Sequence, residues 1–155
     1  MPERVKILVN ACLLGEKVRY DGGHKRDLFL METLGSFVEW VRICPEVDCG
    51  LPVPREAMRL VGDPKHPRLV TNRTGIDHTE RMERWAKARL EELSGLDLCG
   101  YICKKDSPSC GMEPVGTFTR MFKDRFPDLP VEEEGGLGDP VSLETFLERI
   151  LRSPS

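Results

Sequence analysis

Short apolar segments alternate with amphipathic segments along the chain. Runs rich in β-branched residues predict strands, and apolar residues that recur at intervals of three and four predict helices. The predicted strands cover residues 5–9, 37–43 with a start at either 37 or 39, 98–104 and 129–133. The predicted helices cover residues 24–37, 77–94, 115–126 and 142–151. This alternation predicts the α/β class, with a mostly parallel sheet and helices on both of its faces.

One long segment, residues 47–76, is rich in proline and glycine. We interpret it as an ordered loop with a short strand at residues 68–71, because its Val, Leu and Met content favours order. A connection of this length in a compact domain is usually functional or disordered. Asp77, followed three positions later by Glu80, has the spacing of a helix-capping box. We expect one Rossmann-like domain over residues 1–155, with a frayed tail at residues 152–155.

Composition and charge narrow the possible functions. The 155 residues include 26 acidic and 23 basic side chains, for a net charge of −3. A nucleic-acid binder would show a basic excess, and no apolar run approaches the ~18 residues that a membrane span requires. The amino terminus does not show the charged and apolar regions of a secretion signal, so we expect a cytoplasmic protein. The six cysteines are then core thiols, metal ligands or nucleophiles rather than disulfides.

Three of these cysteines follow predicted strands. Cys12 follows the first strand, Cys44 ends the second, and Cys110 lies in the loop after the third. Parallel strands place their carboxyl ends at one edge of a sheet, so we expect the three thiols to meet there. The alternative is a chance placement of small residues in tight turns. The other cysteines are Cys99 and Cys103, which fit the interior of a strand, and Cys49, whose role the pattern leaves open.

Three thiolates suit two kinds of metal centre. One is a tetrahedral zinc ion with an open fourth position, as in zinc hydrolases. The other is an iron–sulfur cluster with three irons bound by cysteine and one iron open. The three histidines show no ligand pattern, which favours the cluster. A protein that binds metal or a cluster without catalysis is the third possibility.

Five segments resemble the TudS-like thiouracil desulfidases, formerly an uncharacterised domain family. They are ACLLG at residues 11–15, RYDG at 19–22, CPE at 44–46, GL and PR at 50–51 and 54–55, and SPSCG at 107–111. The closest similarity is to a subgroup with SPSCGME-type motifs, in which a second domain is often fused at the carboxyl terminus; we expect none here. The chain departs from the family at Asn10, where serine is common, and at Pro114, where a basic residue is usual.

The resemblance implies a [4Fe-4S] cluster held by Cys12, Cys44 and Cys110. The open iron would take the sulfur of a thiolated pyrimidine, and hydrolysis without net redox change would give the oxo form and hydrosulfide. Glu46 and Ser107 match the catalytic positions of the family. From the residues alone, Glu46 is equally a surface acid and Ser107 a turn cap.

Four residues are candidate contacts for the substrate. Arg19, Lys25 and Arg55 are candidate anion contacts for a nucleotide phosphate, and Ser109 is a candidate polar contact. Arg19 equally suits a structural turn. Because the chain is acidic overall, we expect a small base, nucleoside or monophosphate as substrate rather than a tRNA.

Overall fold

Six strands and five α-helices form in the part of the chain that the computed structural model describes, residues 5–23, 26–112 and 115–152. The strands are β1 (Val5–Asn10), β2 (Val38–Ile43), β3 (Met58–Val61), β4 (Arg68–Thr71), β5 (Leu98–Cys103) and β6 (Val131–Glu133). The helices are α1 (Leu28–Leu34), α2 (Pro45–Asp48), α3 (Thr79–Leu93), α4 (Thr117–Arg125) and α5 (Pro140–Arg152). Short 3-10 turns at Ala11–Leu14 and Glu134–Leu137 follow β1 and β6.

Four strands pair in parallel, in the spatial order β2-β1-β5-β6. Asn10 of β1 is opposite Ile43 of β2, and Val9 is opposite Ile102 of β5. The ends of these three strands therefore lie at one edge of the sheet. β2 pairs with one edge of β1, and β5 pairs with the other edge. Open α/β sheets bind ligands at such a point, where the strand order changes direction.

Helices cover both faces of this sheet. Ile7 and Val9 of β1 are buried in a core shared with α1 and α5, whereas Leu8 is buried in a second core shared with α3 and α4. The central strand β5 is buried along its whole length. At Gly100 a β-carbon would lie 3.0 Å from Ile150 of α5, so glycine lets that helix approach the sheet. The predicted α/β fold with a parallel sheet and helices on both faces is confirmed.

The proline- and glycine-rich segment is more regular than predicted. The expected strand at residues 68–71 is present as β4, and it pairs antiparallel with β3. Met58 and Leu69 of this hairpin form a small core with Met82 of α3. The prediction of a long loop was therefore wrong for this part of the segment, because a four-residue strand between glycines and prolines gives a weak periodic pattern.

Aspartates set the first residues of α1 and α5. The Asp27 carboxylate accepts the N–H of Leu30 at 3.0 Å, and α1 begins at Leu28 rather than at the predicted residue 24. Asp139 accepts the N–H of Ser142 at 2.9 Å, and α5 begins at Pro140, two residues before the predicted start at residue 142. In both cases the capping carboxylate precedes the helix and satisfies an otherwise free N–H group.

The predicted capping box of α3 does not form. Asp77 accepts the N–H of Thr79 at 2.9 Å, but Glu80 accepts a hydrogen bond from the Arg68 guanidinium of β4 instead. Asp77 also pairs with Arg68, so these two acids connect the hairpin to α3. None of the described helices is both long and apolar enough to cross a membrane, and residues 153–155 of the predicted tail lie outside the described residues.

Candidate active site

A cleft of about 470 Å³ opens at the carboxyl edge of the parallel sheet. Cys12, Cys44 and Cys110 all line this cleft. They are reached from the ends of β1, β2 and β5, which are neighbours in the sheet. The structure thus places in one cleft the three thiols that we expected at this edge from their positions after the strands, although they lie far apart in sequence.

Local turns present the first two thiols. Cys12 lies in the 3-10 turn after β1, which ends at Gly15 with a φ of 97° in the left-handed region that favours glycine. Cys44 precedes the short helix α2, whose first residue is Pro45. The Asp48 carboxylate accepts the backbone N–H of Cys44 at 3.0 Å. Each thiol is therefore held by a turn of fixed geometry.

The third thiol lies in a loop that packs tightly against α4. The Ser107 hydroxyl oxygen accepts the N–H groups of Ser109 and Cys110, each at 3.2 Å. The Thr119 hydroxyl donates to the carbonyl of Cys110. A β-carbon at Gly116 would lie only 2.3 Å from the Ser109 backbone. Glycine at this position therefore permits the close approach that fixes the loop.

We expect Gly116→Ala to destabilise the protein and to disturb the Cys110 loop. The added methyl group meets backbone rather than a flexible side chain, and overpacking of this kind typically costs about 1–3 kcal/mol. Chemical denaturation would measure the loss. Gly95→Ala is the matched control, because its β-carbon would meet only Glu92 at an ordinary 3.7 Å. Equal stability of the two variants would contradict this account of the loop.

A buried ion pair holds the candidate catalytic carboxylate. The Arg55 Nε–H donates to Glu46 Oε1 at 2.8 Å, and the Ser109 hydroxyl donates to Oε2 at 2.9 Å. The side chains of Arg55 and Glu46 are 7% and 13% exposed, and Ser109 is fully buried. Glu46 lines the cleft beside Cys44, so both carboxylate oxygens are fixed while the group faces the cavity.

The predicted substrate contacts have different environments. Arg55 lines the cleft, but its Nη1 and Nη2 donate to the carbonyls of Pro52 and Val18. Ser109 is not among the residues that line the cleft, and the structure gives it a contact with Glu46 instead. Arg19 lines the cleft, and its Nη1 is buried without a hydrogen-bond partner among the described residues. Lys25 lies outside the described residues.

Burial dominates the electrostatics of the three thiols. It raises the pKa of Cys12 to about 11, with a further contribution from Cys44, while Arg19 and Lys104 oppose the shift. Burial likewise raises the pKa of Cys44, opposed by a backbone N–H and by Arg55. Burial raises the pKa of Cys110 well above its usual range, and Cys44 and Glu46 add to the shift. Binding of a metal centre as thiolates therefore requires release of protons.

Two residues of the site were not predicted as functional. The side chain of Asn10, at the end of β1, donates to Cys110 Sγ at 3.1 Å. Lys104 lines the cleft, and its ammonium group lies 3.2 Å from Glu134. The sequence signals for Asn10 were a polar residue at the end of an apolar strand and its departure from the serine that is common at this position of the family. For Lys104 there was no signal beyond its place after β5.

The donor set fits an iron–sulfur cluster. Three thiols of soft character line one cleft, beside a buried Arg19 nitrogen that has no acceptor within the part of the chain that the structure describes. Within the described ranges, no three His, Cys, Asp or Glu side chains lie close enough together to hold a single metal ion. A cluster needs no such grouping, because each of its cysteines binds a different iron. Cys49, Cys99 and Cys103 do not line this cleft.

Comparison with known proteins agrees with the fold and the cysteine-lined cleft. A model of the 2-thiouracil desulfurase family matches residues 7–134. The chain belongs to this family of enzymes, which confirms the resemblance found in the sequence.

The chain is also similar to two individual proteins. A solved structure of a [4Fe-4S]-dependent thiouracil desulfidase, TudS, superposes with a TM-score of 0.71 at 31% identity, over 92% of this chain and 99% of that one. The uncharacterised protein YbbK of Bacillus subtilis (strain 168) is 30% identical over 120 residues, which cover 73% of this chain and 79% of YbbK.

Proposed function

We propose that this protein is an iron–sulfur-dependent desulfidase that hydrolyses the carbon–sulfur bond of thiolated pyrimidines. Cys12, Cys44 and Cys110 would hold a [4Fe-4S] cluster. The observation that carries the proposal is the meeting of these three thiols in one cleft at the ends of three neighbouring parallel strands. The cleft volume of about 470 Å³ lies in the range of ligand pockets, roughly 300–1,000 Å³.

When bound through three cysteines, the cluster supplies an open iron that acts as a Lewis acid towards the sulfur of the substrate. In the overall reaction, water supplies the new oxygen atom, the carbon–sulfur bond breaks, and sulfur leaves as hydrosulfide. No electrons are gained or lost. The residues of the chain must therefore orient water, move protons and hold the pyrimidine.

Glu46 is the candidate general base. Its carboxylate faces the cleft two residues after Cys44 and is fixed by Arg55 and Ser109. A carboxylate held in this way can accept a proton from an attacking water without first changing its own position. Arg55 and Ser109 then act as positioning residues for Glu46 rather than as direct substrate contacts.

Ser107 is the candidate proton donor to the substrate. Its oxygen already accepts two backbone N–H groups. The hydroxyl group can therefore still donate its proton. Ser107 lines the cleft, where this proton can reach a ring nitrogen or the departing sulfur. The turn-capping role expected from the sequence and the catalytic role are therefore compatible.

Arg19 is the candidate contact for an anionic group of the substrate. This residue lines the cleft, and its Nη1 is buried and unpartnered among the described residues. Two other basic side chains already have partners within the protein: Arg55 donates to Glu46, and Arg59 donates to Asn72. These commitments argue against an extended basic surface for tRNA at this position.

An anaerobic assay of sulfide release tests the proposal. The protein is reconstituted with iron and sulfide, and kcat/KM is compared for 4-thiouracil, 4-thiouridine monophosphate and thiolated tRNA at near-physiological salt. We expect a brown iron protein that releases sulfide from the small substrates in preference to tRNA. Tight tRNA binding needs many phosphate contacts, and the chain has 26 acidic against 23 basic residues.

Two results would contradict the proposal in different ways. A protein that binds iron but releases no sulfide from any of the three substrates is a cluster carrier rather than a desulfidase. A clear preference for tRNA would retain the chemistry but contradict the expected substrate size.

A further inference from the structure

The side-chain amide of Asn10 connects the ends of two neighbouring strands. Asn10 is the last residue of β1 and is 3% exposed. Its Oδ1 accepts the backbone N–H of Lys104 at 2.7 Å and the hydroxyl of Tyr101 at 3.2 Å. Its Nδ2 donates to Cys110 Sγ at 3.1 Å. All three partners belong to β5 or to the segment that follows it.

This arrangement fixes which end of the amide faces the sulfur. The backbone N–H of Lys104 is a donor only, so the atom that it approaches at 2.7 Å must be the amide oxygen. The –NH₂ group is then left for Cys110. A rotated amide would turn its –NH₂ towards the N–H of Lys104 and leave that donor without an acceptor from Asn10.

Cys110 differs from the other two cleft thiols in its surroundings. Cys12 interacts electrostatically with Arg19 and Lys104, and Cys44 with Arg55. The main interactions of Cys110 are with Cys44, Glu46 and Ser107, none of which carries a positive charge. Neutral groups therefore compensate the negative charge of a thiolate at this position, and the amide of Asn10 is one donor aimed at the sulfur.

We propose that Asn10 is a positioning residue that tunes the iron–sulfur cluster through its hydrogen bond to Cys110. This inference rests on the proposed function. Hydrogen bonds to the sulfur ligands are among the factors that set the reduction potential of a cluster. A donor withdraws electron density from the thiolate, which stabilises the reduced state and makes the resting cluster harder to oxidise. The same withdrawal leaves the open iron more electrophilic towards the substrate.

The reduction potential of the reconstituted protein tests this role. Asn10→Ala removes the donor without adding charge, and we expect a more negative potential and faster bleaching of the cluster in air than in the parent. Asn72→Ala is the matched control, because Asn72 is exposed and bonds to Arg59 outside the cleft. Its potential should equal that of the parent. An unchanged potential in a folded Asn10→Ala protein would overturn the proposal.

A measurement on the parent protein covers the case in which Asn10→Ala fails to fold. Asn10 and Asn72 are the only asparagines in the chain, so labelling asparagine side chains with ¹⁵N gives a selective probe. Pulsed EPR of the reduced cluster should detect a ¹⁵N hyperfine coupling, and its absence would overturn the proposal. If the parent assembles no cluster, the proposed function itself fails. If the parent assembles a cluster but shows neither the ¹⁵N coupling nor a potential that changes in Asn10→Ala, only the role of Asn10 is refuted.

Discussion

Replacing Cys12, Cys44 or Cys110 by alanine is expected to abolish iron retention and sulfide release together. Each thiol reaches the cleft from a different strand end, and no cysteine elsewhere lines the cleft to take its place. Loss of one thiolate would leave a cluster with two protein ligands and a second exposed iron. Iron per folded protein and anaerobic sulfide release measure the two losses.

The remaining cysteines provide matched controls for this result. Cys49 donates to the carbonyl of Glu46, and Cys99 and Cys103 are buried in the two cores. Alanine at any of these positions should leave the iron content near that of the parent, although the fully buried Cys103 site should lose some stability. Loss of iron in Cys49→Ala, with Cys44→Ala tolerated, would show that the wrong cysteine of this pair was assigned to the cluster.

Glu46→Gln is expected to lower sulfide release by roughly 10²–10⁴-fold, the usual contribution of a general base. The amide has the size of the carboxylate and can still contact Arg55 or Ser109, but it cannot accept a proton from water at neutral pH. The cluster and the fold should be retained. Turnover measured under anaerobic conditions, normalised to iron content, separates the chemical step from cluster loss.

Glu83→Gln is the control for this substitution. Glu83 lies on α3, faces His66 and does not line the cleft, so its amide should leave turnover unchanged. If Glu46→Gln turns over like Glu83→Gln while its cluster is intact, Glu46 is a neighbour of the metal centre and not its base.

The sequence predicted the sheet better than the connections. β1 and β5 are mostly apolar runs, and a buried parallel strand needs nothing else to be recognised. The single-turn helix Pro45–Asp48 and the strand Met58–Val61 are too short for a periodic pattern. Gly116 and Thr119 are poor helix formers within the predicted helix at residues 115–126. The structure shows that they serve the Cys110 loop instead.

The sequence could predict only the part of the candidate site that depends on the ends of the parallel strands. The meeting of the three thiols follows from parallel strand ends, which a sequence reveals. The partners of Glu46 do not, because Ser109 lies 63 positions away and no local motif records that contact. Asn10 was missed for the same reason: its hydrogen bonds span 91 to 100 positions of sequence. Networks of this range exist only after the chain has folded.

The place of β1 between β2 and β5 has a consequence for the order of events during synthesis. β1 can pair with β2 early in synthesis, but its other edge must wait until residue 98 and beyond have been made. Pairing over such a sequence distance is slow compared with local pairing. Cys110 joins Cys12 and Cys44 only when β5 docks, so the complete set of three thiols exists only after this long-range pairing has formed.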